Sequence, residues 1–431
     1  MSTDTISGPG NRFVIPENRI SFILVTILFL FWGIPNNLND ILIKQFMKSF
    51  EITRLEAGLI QSAFYMGYFL LALPAALIMR KYSYKAGLVT GMFLYSIGTF
   101  LFWPAAHSGK YGFFLFALFV IASGLSFLET GANPFIAGLG SPESSERRLN
   151  FSQAFNPFGA ILGVLIGTIF IFSGIEPDQS KIEAMKLTGE YSGFLESETI
   201  RVIRPYMILG IVVFLWAILM IRTKFPRIVN EENGTDIVGI PRELLKYRHF
   251  LTGVFAQFCY VGAQVGTWSY FIQYSQDYTG ISEKSAGYFL TGTLVAFLIG
   301  RFSATFIMKF IRPGKLMGIY AIANIFLVGI AVVYPGWVGV WSIFLSSFFM
   351  SLMFPTIFAL GIKGLGPNTK IAGSAIVMAI IGGGVFTPFM GLVAGKSMAL
   401  AMLIPLGCYV VITLYSFWWS VPKNVPETIT Q

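Results

Sequence analysis

The sequence predicts an all-α membrane protein with twelve transmembrane helices in two pseudo-symmetric six-helix bundles. Three observations carry that expectation. Hydrophobic residues make up 55% of the 431-residue chain and charged residues only 12%. That is about half the roughly 25% of a soluble protein, too little charge to coat a soluble particle and too much apolar content for disorder. Apolar runs of about 20 residues, the length a helix needs to cross a hydrocarbon core of roughly 30 Å, recur along the whole chain. A polar, basic stretch at 223–248 divides those runs into six and six.

The runs of the first half fall at 20–46, 56–79, 86–104, 111–139, 149–174 and 203–222. The first is too long for a signal-peptide core and has no cleavage site after it, so it is read as a retained span. Gly33 and Pro35 in its middle predict a kinked or broken helix, which a bilayer tolerates where the helix lines a cavity. The runs of the second half fall at 249–276, 284–308, 316–334, 337–362, 370–395 and 398–420. The halves echo each other. Ile78-Met79-Arg80 closes the second span and Ile307-Met308-Lys309 the eighth. Gly138-Leu139-Gly140 before Pro142 closes the fourth, and Gly364-Leu365-Gly366 before Pro367 the tenth. Matches at corresponding spans favour a duplicated six-helix unit.

The organisation expected is a tail at 1–18, a bundle at 19–222, a loop at 223–248, a bundle at 249–420 and a tail at 421–431. Of the 30 Lys and Arg, 19 fall in segments on the side of the termini and 10 on the other side. Positive charge belongs in the cytoplasm, so both termini and the central loop are placed there. The net charge of +9 is accordingly read as membrane orientation and not as a nucleic-acid surface. This arrangement resembles the major facilitator superfamily, in which a midplane site lies between two bundles that rock to expose it alternately.

Ionisable residues inside spans are costly and point to function. Glu129 lies about ten residues, roughly 15 Å, from the inner end of the fourth span. A carboxylate there is expensive while charged, which suits it to bind and release a proton. The alternative is a carboxyl that only ties helices together. Asp40 lies less deep, near the outer end of the first span. Arg301, in the eighth span, is read as an ion pair or an inner-gate residue. Amides cluster with the carboxylates at helical spacing: Asn36 with Asp40, Glu129 with Asn133, Gln153 with Asn156, and Gln257, Tyr260, Gln264 and Trp268 along the seventh span. Paired donors and acceptors match vicinal hydroxyls, and Trp32, Tyr260 and Trp268 are suited to pack on an apolar sugar face. Interhelical hydrogen bonding would explain any one pair. Four aligned faces favour a polar, uncharged ligand.

The remaining features read as structural. Cys259 and Cys408 lie in apolar runs as small buried hydrophobes. His107 and His249 have no ligand-like neighbours, so no metal or catalytic centre is expected. Gly159, Gly163 and Gly167 form a close-packing stripe, and Gly382-Gly383-Gly384 marks a softened or closely approached helix. No motif calls for a cofactor, a metal, nucleic acid or a partner subunit. The partner these features call for is the lipid bilayer, with the chain a monomer.

Ordered sequence runs carry a closer resemblance. Phe31-Trp32-Gly33 with Asn36-Asn37-Leu38-Asn39-Asp40, Glu129-Thr130-Gly131-Ala132-Asn133-Pro134, Gln153-Ala154-Phe155-Asn156, Ala256-Gln257-Phe258-Cys259-Tyr260 with Trp268-Ser269-Tyr270, Gly300-Arg301-Phe302 and Pro355-Thr356-Ile357-Phe358 resemble the fucose–galactose–glucose:proton symporter family over about residues 19–420. The resemblance implies proton-coupled monosaccharide uptake, with L-fucose as the first substrate and glucose or galactose as the alternative. It implies that Asp40 and Glu129 are the two proton-coupling carboxylates. Asn36, Asn37, Asn133, Gln153, Asn156, Gln257, Tyr260, Gln264 and Trp268 form the expected substrate-facing set. One position departs: Phe354 stands where the family's fucose transporters carry Tyr, which removes a hydroxyl from a sugar contact. A drug/proton antiporter of the same fold and a non-transporting sugar sensor remain as rival readings.

Overall fold

The computed structural model describes residues 16–139, 151–226, 242–308, 310–365 and 369–420, together with Val14 and Arg148. Among them all regular secondary structure is helical. The first half contributes span 1 (Arg19–Ser49), span 2 (Arg54–Lys81), span 3 (Tyr84–Phe100, extended by Phe102–Ser108), span 4 (Tyr111–Ala137), span 5 (Phe155–Ile166, then a π turn at Gly167–Ile171) and span 6 (Ile203–Arg222). The second contributes span 7 (Arg248–Thr279), span 8 (Glu283–Ile307), span 9 (Pro313–Val333), span 10 (Trp337–Met350 and Met353–Ile362), span 11 (Thr369–Met378, a tight turn, then Gly382–Ala394) and span 12 (Met398–Ala401, then Leu403–Leu414). Between spans 5 and 6 two short helices, Gln179–Thr188 and Tyr191–Ile200, cap one face. That face, where span 1 gives way to span 2, is the distal face. The terminal face is the one where span 1 begins and span 12 ends.

Eleven of these helices are long and apolar enough to cross a membrane. Span 7 is the exception, although its 32 residues are ample in length. Its apolarity is diluted by Gln257, Gln264, Ser269 and Gln273. A helix can carry that load because protein surrounds it: from Cys259 to Ser275 only Gln264 is even partly exposed.

Glycines set the closest approaches. The stripe on span 5 faces span 1, where a Cβ at Gly159 would strike the Leu30 carbonyl, one at Gly163 the Ile34 carbonyl and one at Gly167 the Ile41 side chain. Between the halves, span 2 packs on span 11, where Gly383 meets Tyr65 and Gly384 meets Ser62. Span 5 meets span 8 through Thr168 and Gly287. Under the repeat, span 2 corresponds to span 8 and span 11 to span 5, so the two inter-half seams are equivalent.

Of the kink or break expected at Gly33 and Pro35, the break is absent: span 1 is one continuous helix. Proline cannot donate to the carbonyl four residues back, which is that of Phe31. Tyr95 of span 3 supplies the missing donor at 3.0 Å. Span 11 repeats the device: Pro388 frees the Gly384 carbonyl, and Ser62 of span 2 donates to it at 2.5 Å. Span 10 breaks at Ser351–Leu352, and Pro355 frees the Ser351 carbonyl there.

The described bonds between the halves gather on the distal side. Lys48 of span 1 bridges Glu198 at 2.6 Å and Glu283 of span 8 at 2.9 Å. Arg54 of span 2 pairs with Asp277 of span 7 at 2.5 Å and donates to the Ala394 carbonyl. At the terminal face the described bonds run within one half, as from Lys85 to the Ile221 carbonyl and from His249 to that of Lys363. The structure is therefore a state held closed on the distal side.

Candidate substrate and proton site

Glu129 sits on span 4, eight residues from its end at Ala137, about 12 Å along the axis. It is partly exposed and faces a small cavity between the halves. Tyr68, Ser126 and Thr130 line the cavity beside it, with Met378 and Ile381 of span 11 opposite. Of the residues predicted from sequence, Glu129 alone lines this cavity. Among the described residues its carboxylate has no hydrogen-bond or ion-pair partner. A carboxylate so placed is uncompensated while charged and acceptable while neutral.

The first-half amides extend from it. Asn133, one turn away, accepts from Gln153 at 3.2 Å and donates to the Glu129 carbonyl. Asn156 donates to the Phe29 carbonyl at 3.4 Å, holding span 5 to span 1. Asn36 accepts from the Tyr68 hydroxyl at 3.3 Å, so it joins the cavity wall through Tyr68. Asn37 is buried and donates to Gly33 of its own helix, without reaching the others. Trp32 is half-buried against Phe29.

The second-half residues form a separate cluster. Trp268 donates to the Ser347 hydroxyl at 3.1 Å and packs edge-on against Phe297. Arg301 lies over the same Phe297 ring at 4.9 Å and donates to the Ser351 carbonyl that Pro355 leaves free. Among the described residues Arg301 makes no ion pair. Tyr260 donates to the Met350 carbonyl at the break in span 10 and packs edge-on against Phe354. The Tyr260 hydroxyl, the Trp268 indole N–H and the Arg301 Nε are thus engaged within their own half. Gln264 is partly exposed, whereas Gln257 is fully buried with neither amide atom partnered.

Asp40 belongs to neither cluster. It lies nine residues from the distal end of span 1, only 3% exposed. Its Oδ1 accepts from Gln61 at 3.1 Å and from Ser269 of span 7 at 2.9 Å. Gln61 also donates to the Ser269 oxygen at 2.9 Å, which closes a ring of three. No described cation pairs with Asp40. Tyr65 stands within electrostatic reach of both Asp40 and Glu129, and Tyr68 within reach of Glu129.

Sequence reasoning missed Gln61, Tyr65, Tyr68 and Ser269. Gln61, Tyr65 and Tyr68 recur at three or four residues on span 2, and this periodicity was the available signal. Asn39, fully buried and unpartnered, was also passed over.

The sequence pattern of the Major Facilitator Superfamily matches residues 21–388. The chain is similar to the L-fucose-proton symporter of Escherichia coli (strain K12), 44% identical over 96% of this chain and 95% of that protein. It is also similar to a glucose/galactose transporter of Brucella abortus, 34% identical over 91% of this chain and 92% of that one. A solved structure of a Major Facilitator Superfamily transporter, FucP, in the outward conformation superposes with a TM-score of 0.71 at 43% identity, covering 93% of this chain and 98% of that chain. Twelve helices in two equivalent halves, a cavity between them and these likenesses lead to one conclusion: the chain belongs to the Major Facilitator Superfamily, within its fucose–galactose–glucose:proton symporter family, and is a multi-pass membrane transporter and not an enzyme.

Proposed function

We propose that the chain is a proton-coupled sugar symporter that imports L-fucose by alternating access. The observation that carries this reading is the 44% identity to the Escherichia coli L-fucose-proton symporter across nearly the whole of both chains. A glucose/galactose reading is favoured by one residue, Phe354, which offers no hydroxyl beside Tyr260. The chain acts as a monomer in a bacterial inner membrane with both termini cytoplasmic, and 223–248 joins its two bundles on that side. The distal face is then external, and the structure is the state closed to the outside.

In this reading Glu129 and Asp40 carry the proton coupling. With the distal face open, a proton reaches them from outside. Sugar hydroxyls engage the Asn36, Asn37, Asn133, Gln153 and Asn156 amides from one half. From the other half Gln257, Gln264, Tyr260 and Trp268 approach, while Arg301 holds span 10 in shape. Neutralising the carboxyls lowers the cost of burying them as the halves close. Over the whole cycle the membrane potential contributes about 2.3 kcal/mol per proton carried in per 100 mV.

The test is the pH of a lightly buffered, de-energised suspension of cells expressing the protein, on adding L-fucose, D-glucose or D-galactose in turn. L-Fucose is expected to alkalinise the medium. Alkalinisation with D-glucose or D-galactose alone would transfer the assignment to that sugar. Silence with all three, with the protein present in the membrane, would overturn symport of these sugars.

A further inference from the structure

Between the cavity at Glu129 and the ion pairs of the distal rim lies a buried polar layer. It consists of Asp40, Gln61 and Ser269, which are 3%, 1% and 0% exposed. Two come from the first half and one from the second. The Ser269 hydroxyl is spent on Asp40, and the Gln61 amide donates to both partners. A serine in a membrane helix can satisfy its hydroxyl on the carbonyl one turn back, as Ser275 does at Phe271. Ser269 instead reaches across the seam to a carboxyl. Two neutral donors on one oxygen compensate a buried charge only in part. Burial therefore favours a neutral carboxyl in the closed layer, and the two donors ease the charged one. Parting the halves would separate span 7 from span 1, take the Ser269 donor away and admit water to Asp40.

We propose that Ser269, oriented by Gln61, is the positioning residue that sets the pH range over which protonation of Asp40 closes the distal face. The proposal rests on the symport reading for its place in a cycle, but its test does not depend on which sugar is carried. The titratable and charged groups around Asp40 and at the rim beyond it are Lys44 and Lys48 on its own helix, Arg54 and Tyr65 on span 2, Glu129 on span 4, Glu176 after span 5, Glu198 of the distal cap, Tyr270 and Asp277 on span 7, and Glu283 on span 8. Span 5 carries none. Lys48, Asp277 and Glu198 stand in rim ion pairs. Protonating a rim carboxylate would loosen the face, so the rim predicts opening in acid. Asp40 predicts closure in acid. Glu129 faces the cavity and acts independently of Ser269.

Gln273, one turn distal to Ser269 and 2% exposed, reports on the seam. The experiment follows alkylation of Gln273→Cys by a membrane-impermeant maleimide in proteoliposomes that hold the full chain in both orientations. Labelling of the unsubstituted chain sets the background from Cys259 and Cys408. Labelling rates, each divided by that of free cysteine at the same pH to remove the thiolate's own pH dependence, are expected to rise with pH, by up to about tenfold per pH unit for one linked proton. Ser269→Ala, which takes a donor from the charged form, should carry that rise to higher pH, Asp40→Asn should flatten it, and Ser269→Thr, which keeps the hydroxyl, should leave it where the parent's lies. Gln61→Met gives the same reading as Ser269→Ala if the latter fails to reach the membrane. A Ser269→Ala profile equal to the parent's would overturn the proposal, as would a parent profile that is flat or opens in acid. A chain that keeps the expected labelling pattern yet moves no protons with L-fucose would overturn the transport assignment alone.

Discussion

Glu129 and Asp40 are both carboxyls inside spans with no described cation as partner, yet their settings differ. Glu129 faces a cavity and has no described partner, so its proton is open to exchange with whatever fills that space. Asp40 is enclosed by two donors from two halves, so its exchange waits on their separation. Glu129→Gln keeps the shape and removes the titratable proton. It is expected to abolish uphill accumulation of sugar in energised vesicles, leaving uptake at simple equilibration. Accumulation equal to the parent's would remove Glu129 from the coupling. Both carboxyls were legible in the sequence because depth alone makes a charge conspicuous. Ser269 was not, since one serine in a span ordinarily serves its own helix. Nor was the meeting of Cys259 with Cys408, both free and buried, whose thiols lie within hydrogen-bond reach between spans 7 and 12. Periodicity along one helix carries no information about its neighbour.

At the scale of the element, span ends and span count were readable because hydropathy and length are local properties. Span 7 was read as an apolar run at 249–276, although its polar residues leave it less apolar than the other eleven. The continuity of span 1 was not readable. A proline predicts a break unless another helix offers a donor to the freed carbonyl, and Tyr95, the residue that does so, lies on a different span. The glycine stripe of span 5 was legible, and its partner turned out to be span 1. Gly163→Val should press on the Ile34 carbonyl and cost about 1–3 kcal/mol, as overpacking does. A lowered thermal melting midpoint in detergent would register it. An unchanged midpoint would mean that spans 1 and 5 can separate without loss.

For the whole molecule, the two-half plan was legible from repeats and loop charge, while the closed side was not, because it depends on pairings between distant segments. Lys48 shows the difference. In the sequence it is one basic residue among those counted for orientation. In the fold it is the cation shared by Glu198 and Glu283, whose side chains are 2% and 0% exposed. Lys48→Met would leave both carboxylates without it, a loss of about 3–5 kcal/mol when one partner of a buried pair is removed. The distal-closed state bears that loss. Spin labels on the distal ends of spans 1 and 8 should then report longer separations, and an unchanged distance distribution would show the rim to be incidental to closure. The proline of span 11 adds a term of a different kind. Its Gly384 carbonyl is satisfied by Ser62, a residue of the opposite half, so separation strips it of its donor at a depth where no other helix stands ready. Only solvent can replace that donor. Distal opening is thus an act of hydration as well as of rotation, and the balance between the two states follows the activity of water: osmolytes excluded from the protein surface favour the shut form.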